Sequence, residues 1–170
     1  MALVVILILA RAGSFLLTHF VQDSVYLPNQ LNADMLSMDI LQTIVEGDAT
    51  AKGLRNSKAM TSIAATDLTF VNQDGDSVRF RLDTGANILY RSINAGAEEM
   101  IPYYLPAGFN VIAKGGSLFT YYDSAEAVTA VAANVRWVTI GVIVRQGAGS
   151  FNSWEAQSDK MTAVAVKKMQ

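Results

Sequence analysis

With 170 residues, 13 Lys or Arg, 15 Asp or Glu and a formal charge of −2, the chain carries no basic field to attract nucleic acid and no strongly acidic tail. It has no cysteine, which excludes disulfides, zinc–thiolate sites and thiol nucleophiles. Apolar residues make up 51% and charged ones 16%, a balance natural for one small domain that also carries a membrane-borne helix.

The chain opens Met1-Ala2-Leu3-Val4-Val5-Ile6-Leu7-Ile8-Leu9-Ala10 without a charge, reaches Arg11, and continues apolar through Phe15, Leu16, Leu17, Phe20 and Val21. A spanning helix needs about 20 mostly apolar residues, and a secretory signal has an apolar region of about 7–15 behind positive charge. The run fits neither fully, because no charge precedes it. Arg11 reads as a residue at headgroup level or as a contact to an acidic group on a neighbouring helix.

Between Leu31 and Val45 the apolar residues Leu31, Met35, Met38, Leu41, Ile44 and Val45 recur every three or four positions, with Asp34, Ser37, Gln42 and Glu46 between them. That spacing predicts an amphipathic helix whose apolar residues pack under a sheet. Pro28 predicts a kink or a short melted section, and Gly47 or Gly53 a left-handed cap at the end. The boundary is expected near Asp48, dividing a membrane and assembly helix (1–48) from a head domain (49–170).

From Leu68 onward helical spacing gives way to alternation. Leu68–Val71 and Val78–Leu82 flank Asn72-Gln73-Asp74-Gly75-Asp76, a hairpin signal of the Asp-Gly kind, with Val78, Phe80 and Leu82 on one face and Arg79 and Arg81 on the other. Ile88–Ile93 predicts a third antiparallel strand, and 94–108, with Pro102 and Pro106, a connection whose Ile101, Tyr103, Tyr104 and Leu105 cover a sheet edge. Two short extended runs follow, Phe109–Ile112 and Leu118–Tyr122, then an alanine-rich stretch, Ala125–Ala133, readable as helical turn or loop. The strongest strand pattern places Arg136, Val138, Ile140, Val142 and Val144 on one face and Trp137 and Ile143 on the other, a central position. A loop with Phe151 and Trp154 and a closing strand, Met161–Val166, complete the chain. The expected fold is α+β, a long N-terminal α-helix packed on an antiparallel β-sheet head domain.

Four stretches together resemble type IV pilin-like proteins, of the minor pilin or pseudopilin kind (PilW-like or J-type pseudopilin-like). They are the opening Met1–Ala10; Met35–Glu46, similar to the end of that family's long helix; Asp67–Phe70 with Asp74–Asp83 and Leu89-Tyr90-Arg91; and Leu118–Asp123 with Val135–Ile140 and a last strand before a basic tail. Order along the chain, rather than any one stretch, carries the likeness. The family's leader, its Phe-Thr-Leu-Ile-Glu opening and its early glutamate have no counterpart here, so the resemblance implies an N-terminally truncated form. Asp23 and Asp34 lie too far along the helix to stand in for that glutamate.

The resemblance implies a structural minor subunit of a type IV pilus or type II secretion pseudopilus that starts, caps or modifies the filament. Its implied location is the inner membrane before assembly, then a periplasmic or extracellular filament. Leu3, Val4, Ile6, Leu7, Leu9, Arg11, Phe15, Leu16 and Phe20 would form the membrane and assembly helix, with other pilin or pseudopilin subunits as partners. No enzyme activity, cofactor or nucleic acid is expected. The rival reading is a secreted β-rich binding domain behind an incomplete signal peptide.

Other polar groups have plainer roles. His19 stands alone, without the partners a triad or metal cage requires. Asp74-Gly75-Asp76 has oxygens for calcium but neither the spacing nor the terminal glutamate of an EF-hand. Glu98, Glu99, Asp123 and Glu126 read as solvated carboxylates, and Tyr103, Tyr104, Phe151 and Trp154 as either a partner surface or a roof over the sheet.

Overall fold

Alternating side chains in the middle of the chain produce strands with one dry face. In β3 (Ser77–Asp83) Val78, Phe80 and Leu82 are buried while Arg79 is exposed, and β2 (Asp67–Asn72) buries Leu68, Phe70 and Asn72 in the same rhythm. The structure, a computed structural model, describes residues 2–150, 153 and 155–166; the side chains of residues 2–10 and 21 lie outside the described residues.

One helix, α1 (Ala2–Val45), precedes two antiparallel sheets, an α+β architecture. The first sheet is a meander of β1 (Ser57–Ile63), β2, β3, β4 (Ile88–Ile93) and β5 (Glu99–Ile101), in that order. Gly75, at φ +95°, makes the turn between β2 and β3, and Asn72 closes it by accepting from the Asp76 backbone N–H at 2.9 Å. In the second sheet β8 (Trp137–Gln146) is central. Along one side it pairs with β6 (Phe109–Ala113) and β7 (Phe119–Tyr122), and along the other it pairs over its length with β9 (Gln157–Ala165).

The helix lies against β8 and β9, and β6 abuts β3 and β4 of the first sheet. One apolar cluster joins Ile40 and Ile44 of the helix, Phe70, Phe80 and Leu89 of the first sheet, and Val138, Ile140 and Val142 of the second. The Tyr121 hydroxyl donates to the Ala64 carbonyl at 2.9 Å, tying the sheets together, and burial raises its pKa.

Several expectations are corrected. The helix runs through Pro28 without a melted section; the proline ring fixes φ within the helical range, and its costs are the missing N–H and the crowding of its ring against the carbonyl four residues back. Gly47 takes the left-handed conformation (φ +85°), whereas Gly53 has φ −79° and is required for space, since a Cβ there would stand 2.4 Å from the Gly47 nitrogen. Ser57–Ile63 forms a strand, β1, ahead of the expected start of the sheet, and Glu99–Ile101 pairs with β4 as the edge strand itself rather than covering an edge. The closing strand begins at Gln157, four residues ahead of Met161 (161 − 157 = 4). The alanine-rich stretch, readable as helical turn or loop, is a loop with a turn at 124–125, a bridge from Val128 to Tyr122 and a 3-10 segment at Ala132–Asn134.

Candidate functional site

The helix carries two apolar stripes, and the head occupies only one. Ala33, Ser37, Ile40 and Ile44, spaced by three or four residues, are fully buried, so this is the docked face. Leu31, Met35 and Met38, expected to pack against the sheet, are 63%, 69% and 61% exposed. Both sets satisfy helical spacing. The docked set wins because Ala33 and Ser37 are small enough to let the helix approach β9, while Ile40 and Ile44 fill the core. Ile44 and Val45 of the expected packing set are in the core, and Leu41 packs partly buried against it.

The exposed stripe continues toward the N-terminus. Leu27 is 57% exposed, and Phe15, Leu16, Leu17 and Phe20 are more exposed still. No residue from Arg11 to Phe20 is buried, so this portion of the rod stands clear of the head. Leu3, Val4, Ile6, Leu7 and Leu9 belong to the stretch whose side chains lie outside the described residues. Among the described residues, no helix is long and apolar enough to cross a membrane.

A polar seam fixes how the helix sits. Ser37 Oγ lies 2.8 Å from Ser158 Oγ, Ser158 donates to Asp34 at 2.7 Å, and Lys160 Nζ lies 3.1 Å from the same carboxylate. The Ser158 hydrogen bond, aided by Lys160 and Gln30 and opposed by partial burial, holds the Asp34 carboxyl below its usual range. The Gln30 amide donates to the Gln157 carbonyl at 2.9 Å and accepts from its N–H at 3.2 Å, as a neighbouring peptide unit would.

The end of the helix is held by a buried arginine. Arg91, 1% exposed, donates to Asp48 Oδ2 at 2.8 Å, Thr50 Oγ1 at 2.7 Å, the Tyr103 hydroxyl at 2.8 Å and Glu99 Oε1 at 2.7 Å. Asp48 Oδ1 in turn accepts from the Thr50 N–H and hydroxyl, closing the turn that leaves the helix. Burial works against the Asp48 carboxylate, but the Thr50 bonds and Arg91 outweigh it and hold its pKa well below the usual carboxylate range. The sequence offered one signal for this knot: Arg91 sits at an inward position of its strand, where only a paired charge is tolerated.

The remaining candidates are not brought together as a reacting group. His19 is exposed, with its ring 4.2 Å from that of Phe15. Asp76 accepts from Asn72 and Asn94, Glu98 pairs with Arg81, Glu99 with Arg91, and Asp123 accepts from the N–H groups of Ala125 and Ala127. Among the described residues no group of three or more His, Asp or Glu could hold a metal. Tyr103 and Tyr104 are exposed, the former tied to Arg91, while Phe151 and Trp154 lie outside the described residues. Comparison of the chain with known protein families, curated proteins and solved structures finds no match.

Proposed function

We propose that the chain is a structural subunit of a helical filament, a minor pilin or pseudopilin of a type IV pilus or type II secretion pseudopilus. It is held in the inner membrane by the first part of α1 before assembly and carries no catalytic role. The observation that supports this reading is the stripe formed by Leu27, Leu31, Met35 and Met38, exposed among the described residues and continuous with Leu16 and Phe20 on a rod clear of the head. Fully burying one such side chain is worth about 1.5–3 kcal/mol in water, so Leu27, Leu31, Met35 and Met38, each a little over half exposed, would gain roughly 4–8 kcal/mol, within the range of about 4–15 kcal/mol for fixing a subunit in place, while Leu16 and Phe20 would exchange lipid for neighbouring rods. The rod would nest among rods of related subunits, with the head outside.

The test is to shear the surface of cells that make the protein and probe the released filaments with antibody to the head. Labelling along or at the tips of filaments, lost when Leu31 and Met35 are both replaced by Asp, is the expected result. Recovery of the wild-type chain only as a freely soluble species would overturn it.

A further inference from the structure

The outer edge of β9 is open over a defined length. The Gln146 N–H donates to the Ala156 carbonyl and the Val166 N–H to the Arg136 carbonyl, so the even-numbered residues of β9 bond to β8. The N–H and C=O groups of Gln157, Asp159, Met161, Ala163 and Ala165 therefore point away from the sheet. The Gln30 amide satisfies those of Gln157. Among the described residues, no hydrogen bond reaches the outward groups of the other four. Beside this edge, on the helix side, runs a groove lined by Leu41, Gln42, Val45, Glu46 and Thr162. An unprotected strand edge is a template for another strand.

We infer that this edge binds the same edge of a second copy, antiparallel, about a two-fold axis at Thr162. Charge, capping and the use of all four open residues select that register; an axis at Ala163 would leave Asp159 unpaired by this strand. An axis at Asp159 sets Asp159 against itself, and one at Lys160 sets Lys160 against itself, both unfavourable. An axis at Met161 requires the Gln157 groups that Gln30 already holds. With the axis at Thr162, Asp159 exchanges bonds with Ala165 and Met161 with Ala163, so all four open residues are used. Lys160 then faces Val164, and Thr162 faces Thr162, a favourable cross-strand pair. The two grooves meet across the axis.

The helices of such a pair lie antiparallel on one face of a joined sheet. Their N-terminal portions point apart, so a paired chain is held out of any array of parallel rods. This pairing does not rest on the filament reading and is tested separately.

Because the chain has no native cysteine, the full-length protein in detergent reports cleanly on single replacements. Opposed residues at a non-hydrogen-bonded pair have Cα atoms about 4.5 Å apart, within disulfide range. Thr162→Cys should give a disulfide-linked dimer on mild oxidation. Ala165→Cys, displaced from its mate by about 20 Å along the strand, should not. Ala163→Pro removes only an outward N–H and should abolish the Thr162→Cys cross-link. Thr162→Lys, which leaves the backbone intact, should turn a dimer into a monomer by light scattering. Equal cross-linking at 162 and 165, no cross-linking at 162, or a dimer that survives Thr162→Lys overturns the pairing.

Discussion

Replacing Ile44 and Met38 by alanine, one at a time, tests which face of the helix the head holds. Both are large apolar residues on the same helix, six positions apart (44 − 38 = 6), yet Ile44 is fully buried and Met38 is 61% exposed. Truncating a buried isoleucine loses its transfer free energy and leaves a cavity, about 2–5 kcal/mol, whereas an exposed side chain away from special features changes stability by about 0.5 kcal/mol or less. For a chain of this length each kcal/mol shifts Tm by about 2–4 °C. With about 3 kcal/mol for Ile44→Ala, Tm should fall by about 6–12 °C, and Met38→Ala should move it by no more than about 2 °C. The assay is thermal unfolding of the full chain in detergent, followed by near-ultraviolet circular dichroism. A loss at Met38 equal to that at Ile44 would mean that the Leu31–Met38 stripe is the docked one, and the separation of a head face from a partner face would fail.

Arg91→Met should destabilise the chain by about 2–3 kcal/mol, below the 3–5 kcal/mol typical of a broken buried pair because Asp48 and Glu99 are partly exposed and can rehydrate. Adding Asp48→Asn should restore part of that loss in denaturant unfolding, and strict additivity would dissolve the proposed knot. Asp34 and Asp48 both have depressed carboxyl pKa values in the fold, so their contribution is complete above the ordinary carboxyl pKa of about 4 and is lost as pH falls through the folded values. Tm should hold level from about pH 7 to 5 and drop below about pH 4, with a shallower drop in Asp48→Asn; a Tm that rises on acidification contradicts the assignment. Gly53→Ala places a Cβ 2.4 Å from the Gly47 nitrogen and 2.6 Å from the Val45 and Glu46 carbonyl carbons, all backbone. It should cost about 1–3 kcal/mol or more, read by the same melts, and a neutral result would show that the turn after the helix opens easily.

What the sequence disclosed follows the reach of each signal. Period-two alternation with an Asp-Gly turn located β2, β3 and β4, because one wet face and one dry face leave a local record. Ser57–Ile63 left a weak one: Met60 is its single buried apolar residue, and its neighbours Lys58, Thr61 and Ser62 do not alternate clearly. Apolar spacing placed Leu41, Ile44 and Val45 against the head but also selected Leu31, Met35 and Met38, which are exposed. Ala33 and Ser37 look like interruptions of an apolar stripe until a partner strand supplies Ser158 and the need for close approach. Nor could the Arg91 knot be assembled from sequence, since Asp48, Thr50, Glu99 and Tyr103 reach it from three separate connections or strands.

A helix that is apolar on opposite sides needs neighbours on opposite sides. The head supplies one set, ending with the polar seam at Gln30 and Asp34, beyond which α1 meets no buried surroundings between Arg11 and Phe20. On the proposed filament reading the other set comes from neighbouring subunits, and the residue types on the two sides fit that division. Small and β-branched groups, Ala33, Ser37, Ile40 and Ile44, suit a fixed fit to one sheet. Leu31, Met35 and Met38 are long and adaptable, suited to surfaces met only on assembly. Replacing Met35 and Met38 by leucine would keep the apolar area while reducing flexibility, so an assembly defect without any change in Tm would locate the function of the outer stripe in its adaptability. Unchanged assembly would assign that function to buried area alone.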